Sequence, residues 1–436
     1  MKTIRLGLIG FGTVGAGVVK ILSQTNFLIE RRLGATIKLV KIADLDIKSD
    51  RGVPVARHVL TTNADDLLDH PEIDIVVELI GGLEPARSFI LKAVANGKHV
   101  VTANKALLAK HGDEIFSAVE EKNLCLGYEA SVGGAIPIIR SLRESFVATR
   151  FKSIGGIVNG TANYILSQMS DGGRDFDTAL KEAQAQGFAE ADPTFDIEGI
   201  DSAHKIAILT RLAYGTGVNF EDIFVQGISG ITSEDIQYAG DFGYKIKLLA
   251  ISKMDGEAID VRVHPTMIPA DNPLANVGGV LNAVWVGDEW MEKNILVGHG
   301  AGALPTGCAV LGDVAEISRN ILSGASGRVP TRAFQPSAIK NIPIKNISDI
   351  ECEYFLRLRV MDQPNVLSVI SGILGDHSIS IKSVIQKGRD RNGDGVPLVL
   401  MTHEAREKNV REALRKIDQQ EVVCRETRLI RVESGT

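Results

Sequence analysis

Cysteine is scarce in this 436-residue chain: Cys125, Cys308, Cys352 and Cys424 are all there are, and they stand far apart. Without a CxxC spacing there is neither a zinc framework nor a disulfide scaffold to read, and a reducing compartment is expected. Long apolar runs are missing too. None approaches the roughly eighteen residues that would span a bilayer. Basic runs are equally absent and the formal net charge is −6, which argues against nucleic acid and against an electrostatic membrane anchor. The opening MKTIRLGLIGFG has a basic end and an apolar stretch, but glycines interrupt it and no small-residue cleavage region follows. A strand and turn explain it better than a signal peptide. Together these absences predict a cytoplasmic protein.

What is present is ordinary globular composition, 44% hydrophobic and 23% charged, in a chain long enough for two or three domains. Ile4–Ile9 reads as a short apolar strand, and Gly10-Phe11-Gly12-Thr13-Val14-Gly15 follows at once. Val14, Val18, Ile21 and Leu22 then recur at helical spacing. A G-x-G-x-x-G between strand and helix is a dinucleotide signature. The first glycine allows the tight turn, the second lets a pyrophosphate approach, and the third lets helix and strand pack. The helix N-terminus offers unpaired N–H groups to the phosphates. Strands at 37–44, 74–81, 98–105 and 124–130, with helices at 84–97 and 106–121, continue the alternation. That pattern predicts a parallel, doubly wound sheet with its ligand at the strands' carboxyl ends.

Two residues at those ends stand out. Asp44 closes the second strand, where an acidic side chain accepts from a ribose hydroxyl and favours NAD over NADP. Asp46, Lys48 and Arg51 lie close by, and a basic side chain could reach the extra phosphate, so the choice between NAD and NADP stays open. Lys105 follows an expected Asn104 cap, and a cation in a first helical turn opposes the helix dipole. A solvent-facing lysine and one facing the nicotinamide end both remain open.

The second half begins after Gly133-Gly134. Residues 136–146 are amphipathic, 151–171 read as strand, turn at Asn159-Gly160 and helix, and the helix at 177–187 stops at Gly187. GFAEADPTFDIEGIDSAHK (187–205) then packs Glu190, Asp192, Asp196, Glu198 and Asp201 ahead of Lys205. Pro193 forbids one continuous helix there. A new helix begins near Asp201 and sets Asp201 and Lys205 at i and i+4 on one face. Exposed, such a pair is worth only a few tenths of a kcal/mol, but its neighbours AHKIAIL are largely apolar. His204 is read as packing. Residues 328–348 look like a linker, and 353–361, 365–377, 378–386, 396–403, 404–418 and 422–432 alternate as βαββαβ, with DRNGDG (390–395) as a hairpin turn. That order is the split-βαβ, ferredoxin-like arrangement.

The segments GFGTVG, VVTANKALLAKHG, YEASVGGAIPII, GFAEADPTFDIEGIDSAHK and GHGAGALPTGCAV together resemble homoserine dehydrogenase, in the right order over nearly the whole chain. The resemblance implies reversible hydride transfer between NAD(P)H and aspartate 4-semialdehyde, giving L-homoserine on the route to threonine, methionine and isoleucine. It implies Lys205 as proton donor and base, with Lys105 lending charge to the developing alkoxide. Glu190 and Asp201 would hold the substrate's ammonium group, and Asp196 would hold their geometry or the lysine's. Thr102, Lys105, Gly187 and Gly302 join the glycine-rich turn and Asp44 in the cofactor set. A monovalent cation, sodium, would sit on Glu129 and the carbonyls of Val132, Gly134 and Ile136. His299 and Gly307-Cys308 depart from the usual family pattern without touching these roles.

The C-terminal block is similar to an ACT domain, which implies L-threonine as effector, although Asn365 stands where glycine is usual. A homodimer or homotetramer is expected, the choice between them staying open. The expected architecture is α/β and α+β. It has a Rossmann-type domain over 1–132, an α+β substrate-binding and dimerisation domain over 133–325, a linker over 326–350 and a ferredoxin-like ACT domain over 351–436. Deleting residues beyond about Lys345 is then expected to leave catalysis possible but to abolish any threonine effect. Two other readings are weighed. A catalytically silent amino-acid sensor has no need of both lysines. An aspartate-semialdehyde dehydrogenase needs an activated cysteine, and no cysteine here has such a neighbourhood.

Overall fold

Strand β1 (Lys2–Ile9) pairs in parallel with β2 (Ala35–Ala43) on one side and β4 (Ile75–Glu78) on the other. The edges are β3 (Leu60–Thr61) beside β2, and β5 (His99–Thr102) then β6 (Leu126–Gly127) beyond β4. The order β3-β2-β1-β4-β5-β6 reverses between β1 and β4, so the crevice for a ligand opens at the ends of those two strands. A computed structural model of the chain describes residues 2–388 and 395–435, so the turn expected at 390–395 lies, except for Gly395, outside the described residues.

The sheet belongs to the first of two units, built from Met1–Gly160, Asp201–Glu221 and Val280–Ile342. Its core joins Leu6, Leu8, Ile75, Val77 and Val101 to Val18 of helix Thr13–Leu33 and to Val310 and Val314 of helix Ala303–Ser323. Helix Thr13–Leu33 ends where Gly34 turns left-handed, φ 74°, and its N–H closes on the Glu30 carbonyl. Three antiparallel strands, Ser153–Ile157, Leu281–Gly287 and Lys293–His299, complete the unit. Two elements are shorter than their pattern suggests. The strand expected over 124–130 is paired only at Leu126–Gly127, because Glu129–Ser131 coils into a tight 3-10 turn. The amphipathic stretch at 136–146 forms one turn of helix, Ile138–Arg140, and then a wider π turn, Ser141–Ser145.

The second unit comprises Thr161–Ile200, Asp222–Gly279 and Pro343–Thr436. Its long antiparallel pair is Tyr244–Asp255 with Ala258–Pro269. Strands Glu351–Val360, Ile381–Gln386, Val396–Thr402 and Val423–Val432, with helices Val366–Asp376 and Glu407–Asp418, follow in βαββαβ order. Glu351–Val360 lies between Val396–Thr402 and Val423–Val432, and Val423–Val432 also pairs in parallel with Ala258–Pro269. Leu356 and Leu358 turn inward onto Ile370, Leu374 and Val410. Arg357, on the other face, reaches Asp235 at 2.6 Å and Glu234 at 2.7 Å in the first turn of helix Ser233–Asp241. The alternation of the strand is thus used on both sides. No helix among the described residues is long and apolar enough to cross a membrane.

Candidate active site

The glycine-rich turn begins where β1 ends. Gly10 has φ +98° and donates to the Ala43 carbonyl at 2.8 Å, a backbone that L side chains rarely adopt. A Cβ on Gly15 would fall 2.2 Å from the Gly10 carbonyl oxygen, whereas one on Gly12 would meet nothing within 4 Å. The first and third glycines are therefore needed for the turn itself, and the second leaves open space for a ligand. Phe11 is buried, Thr13 is exposed and Val14 is half-buried at the start of the following helix. An open cleft of about 490 Å³ lies here, lined by Gly10, Gly12, Asp44, Leu79, Gly81 and Glu84 among others. Asp44 accepts the N–H groups of Phe11 and Asp46, and Arg51 stands 4.0 Å from Asp44 and 3.2 Å from Asp46. A carboxylate and a guanidinium thus sit side by side at the end of β2. The cleft and the unpaired helix-end N–H groups fit a dinucleotide.

Thr102 is buried, and its hydroxyl donates to Glu78 at 2.6 Å while accepting from the Asn104 N–H at 3.0 Å. Burial pushes the Glu78 carboxyl up, and the hydrogen bonds it accepts from Ile80 and Gly81 fix the turn after β4. Nothing in the sequence had marked Glu78. Asn104 caps helix Lys105–Glu121 as expected, accepting from the Leu107 N–H at 3.1 Å.

Lys105 at the head of that helix meets helix Ile200–Tyr214 through Asp201. The Lys105 ammonium lies 2.5 Å from Asp201 Oδ1, and that of Lys205 lies 2.7 Å from Oδ2. Lys205 also donates to the Val158 carbonyl at 2.6 Å, and Asn159 donates to Asp201 Oδ2 at 2.8 Å. The Asp201 and Lys205 side chains are 3% and 8% exposed, against 39% for Lys105. Burial alone would raise the Asp201 carboxyl, but the two ammonium groups outweigh it and hold the acid well below its usual range. Asn159 was legible only as a turn residue; its carboxylate partner became visible once the chain folded.

The remaining acids lie in the second unit. Glu190 is exposed, and Gln184 donates to its backbone carbonyl at 3.1 Å. Asp192 accepts from the Thr194 N–H at 3.1 Å just ahead of the short helix Thr194–Ile197, in which Asp196 is half-buried. The Thr161 hydroxyl donates to the Phe188 carbonyl at 2.6 Å and anchors the loop behind Gly187, whose φ is +73°. The structure therefore joins Lys105, Asp201 and Lys205 in one cluster, while Glu190, Asp196 and Gly187 belong to the other unit. Gly302, in the first unit, has φ +122° and precedes helix Ala303–Ser323.

Glu129 is buried, and its two carboxylate oxygens accept the N–H groups of Ile139 and Arg140, each at 2.8 Å. Burial raises its carboxyl all the same. Gly133 and Gly134 have φ of +72° and +54°, which turns the 132–136 loop back beside it. The Ile136 carbonyl accepts the Ile138 N–H at 2.8 Å. One carboxylate with backbone carbonyls is the donor set a hard cation takes. Among the described residues no group of three or more His, Cys, Asp or Glu could hold a metal.

Against known proteins, residues 10–129 match the family model "Homoserine dehydrogenase, NAD binding domain" and residues 137–315 match "Homoserine dehydrogenase". A homoserine dehydrogenase of Neisseria gonorrhoeae is 44% identical over 435 residues, covering 100% of this chain and 99% of its own. The crystal structure of a homoserine dehydrogenase from Thiobacillus denitrificans superposes with a TM-score of 0.95 at 46% identity, over 100% of this chain and 99% of that one. A hyperthermophilic archaeal homoserine dehydrogenase mutant in complex with NADPH reaches a TM-score of 0.63 at 27% identity, over 72% of this chain and 98% of its own.

Proposed function

The chain belongs to the homoserine dehydrogenase family, and we propose that the Lys105–Asp201–Lys205 cluster handles the proton of its reaction. That reaction is the reversible, NAD(P)-dependent reduction of L-aspartate 4-semialdehyde to L-homoserine. When bound beside Gly10 and Gly12, the nicotinamide nucleotide supplies or accepts the hydride. Reduction leaves an oxyanion on the former aldehyde carbon; Lys205 gives it a proton and takes one back in the reverse direction. Asp201 and the Val158 carbonyl aim the ammonium of Lys205. Lys105 lends its charge to the developing alkoxide. Asp201 and Glu190 bind the substrate's ammonium group, and Asp196 and Gly187 shape the loop that carries Glu190. Phe11, Thr13, Val14, Asp44, Thr102 and Gly302 complete the nucleotide site.

One observation carries this reading: a buried carboxylate bridges two lysines in the unit that also holds the glycine-rich turn. A solvated ion pair would not be buried, and a silent sensor gains nothing from two cations on one acid. Thiol chemistry finds no support. Cys352 is buried, and burial pushes its thiol up to about 11, opposite to an activated nucleophile.

The finer parts of the reading rest on smaller supports. The loop of Glu129, Val132, Gly134 and Ile136 holds a monovalent cation, sodium, on its oxygen donors. The C-terminal βαββαβ block acts as an ACT module for L-threonine; Asn365 takes the left-handed backbone with φ 71°, and its side chain narrows the space beside an effector. The domains run 1–132, 133–325 and 351–436 with a linker between the last two, and the enzyme works in the cytoplasm as a homodimer or homotetramer.

The test is to mix protein, NADPH or NADH, and aspartate semialdehyde, and to follow loss of reduced-cofactor absorbance. Lys205→Ala is expected to lower kcat by about 100-fold or more, the usual scale for a general acid, with cofactor affinity unchanged. Near-normal turnover in that variant would remove Lys205 from the mechanism.

A further inference from the structure

Helix Lys105–Glu121 is broken at His111, where φ is −123° and ψ is 16°. A break of this kind leaves carbonyl groups of the preceding turn short of helical donors. Arg211 reaches in at that point. Its Nη1 donates to the carbonyls of Leu108 and Ala109, each at 3.0 Å, and its Nη2 donates to the Val218 carbonyl at 2.8 Å. Arg211 is 3% exposed and stands on helix Ile200–Tyr214, six residues beyond Lys205. One guanidinium thus spans the two helices that carry the three members of the cluster, one turn past Lys105 on one side and about 9 Å past Lys205 on the other, at 1.5 Å per residue. A second tie lies alongside. The Lys110 ammonium stands 5.1 Å over the Phe220 ring, and His204 stacks on that ring with centroids 4.7 Å apart.

Plain packing does not account for this arrangement. A buried guanidinium loses much of its hydration, and an apolar side chain of similar size would fill the space without that cost. Among the described residues Arg211 pairs with one acid, Asp113 at 3.6 Å, whose side chain is 53% exposed. What the guanidinium does better than an apolar group, or a lysine, is hold several acceptors at once in a fixed plane. The acceptors here are backbone carbonyls, so the contact fixes the spacing of two main chains.

We propose that Arg211 is a positioning residue for the reaction: it sets the distance between the Lys105 helix and the Lys205 helix and so keeps both ammonium groups on Asp201. The inference rests on the cluster reading above. Loosening Arg211 lets Lys105 draw away, and Lys205 is then the ammonium left on Asp201, beside the Asn159 amide. Losing a neighbouring cation and the competition for that carboxylate both favour the protonated amine. Among the described residues of the first unit, Lys205 faces Asp201 and the Val158 carbonyl directly, Lys105 across Asp201, and His204 through its charge.

The experiment is a kinetic cycle in the direction of homoserine oxidation, with wild type, Arg211→Lys, Lys105→Met and the double variant. Arg211→Lys is expected to lower kcat about ten-fold or more, within the range for a misplacement of about 1 Å, with cofactor affinity unchanged. The rising limb of its kcat–pH profile should move up by about half a pH unit or more. In the Lys105→Met background the same substitution should change kcat less than about two-fold, since coupled residues do not add. An unshifted limb with wild-type kcat, or an equal loss in both backgrounds, overturns the proposal; the latter marks a general packing role. Normal turnover in Lys105→Met alone would refute the cluster reading itself, and this inference with it. Should Arg211→Lys fail to fold, Asp113→Asn runs the same cycle from the surface; an effect of about two-fold that vanishes without Lys105 supports the proposal, and one that persists overturns it.

Discussion

At the scale of single residues, the i, i+4 spacing of Asp201 and Lys205 was legible in the sequence because a helix period alone puts them on one face. The third member was not. Lys105 joins them only through the packing of distant elements, and the helix-dipole argument had left it open between solvent and site. Asn159 and Glu78 were missed because each looks like a turn or strand residue until its partner is in place. His204, read as packing, does stack on Phe220, and it carries a measurable consequence. Burial holds its imidazole down to about 4, against an opposing pull from Asp201 and with help from Lys105, Lys110 and Lys205. The unfolded chain takes up that proton near pH 6.5. The stability gained by keeping the ring neutral is therefore fully present above about pH 6.5 and is lost as pH falls through the folded value. The midpoint of thermal unfolding should fall more steeply between these limits in the wild type than in His204→Phe, which keeps an aromatic ring against Phe220. Parallel slopes would assign the acid sensitivity to other groups.

At the scale of elements, the Asn104 cap was legible, and the helix expected to stop at Gly187 ends at Ala185. Gly34 and Asp175 mark boundaries by the same local chemistry, although they were not singled out in the sequence. Interruptions were hidden. The break at His111 is met by Arg211, and the short β6 gives way to the 3-10 turn at Glu129–Ser131 beside the buried bond from the Tyr128 hydroxyl to the Thr331 carbonyl, contacts that the local sequence does not display. The crossing of helices Thr13–Leu33 and Ala303–Ser323 was equally invisible. A Cβ on Gly17 would lie 2.3 Å from the Ala303 carbonyl oxygen, and one on Gly307 would lie 3.2 Å from the Gly17 carbonyl carbon. Two glycines thus set how closely these helices approach. Gly17→Ala must push backbone against backbone, at a cost of about 1–3 kcal/mol for overpacking. Urea unfolding should show the loss as a lower midpoint; an unchanged midpoint would mean that the crossing yields freely.

At the scale of the whole molecule, local signals announce successive blocks, whereas each of the two units draws on three separated stretches of chain. The C-terminal segment illustrates the difference. Its last strand lies between Ala258–Pro269 and Glu351–Val360. Glu433, just beyond it, pairs with buried Arg262 and with Lys253, and Arg431 pairs with Glu407 at 2.6 Å. Removing residues beyond Lys345 opens a sheet edge and strips Arg262 of one of its two carboxylates, a change worth about 3 kcal/mol or more for a buried pair. The shortened chain is expected to aggregate or to lose its cooperative melt, contrary to the expectation raised by the linker pattern. A soluble truncation with a sharp transition would show that the strand is dispensable. The same interleaving bears on birth of the protein at the ribosome. When the first 160 residues have emerged, the nucleotide-binding sheet still lacks the helices at 200–214 and 303–323. At about 5–20 residues per second, Lys105 waits many seconds for its carboxylate partner. Helix Ala303–Ser323, which closes the core beneath the sheet, is made later still. Catalytic competence is thus a late event of synthesis, and the nascent chain carries an uncovered apolar face for much of its translation.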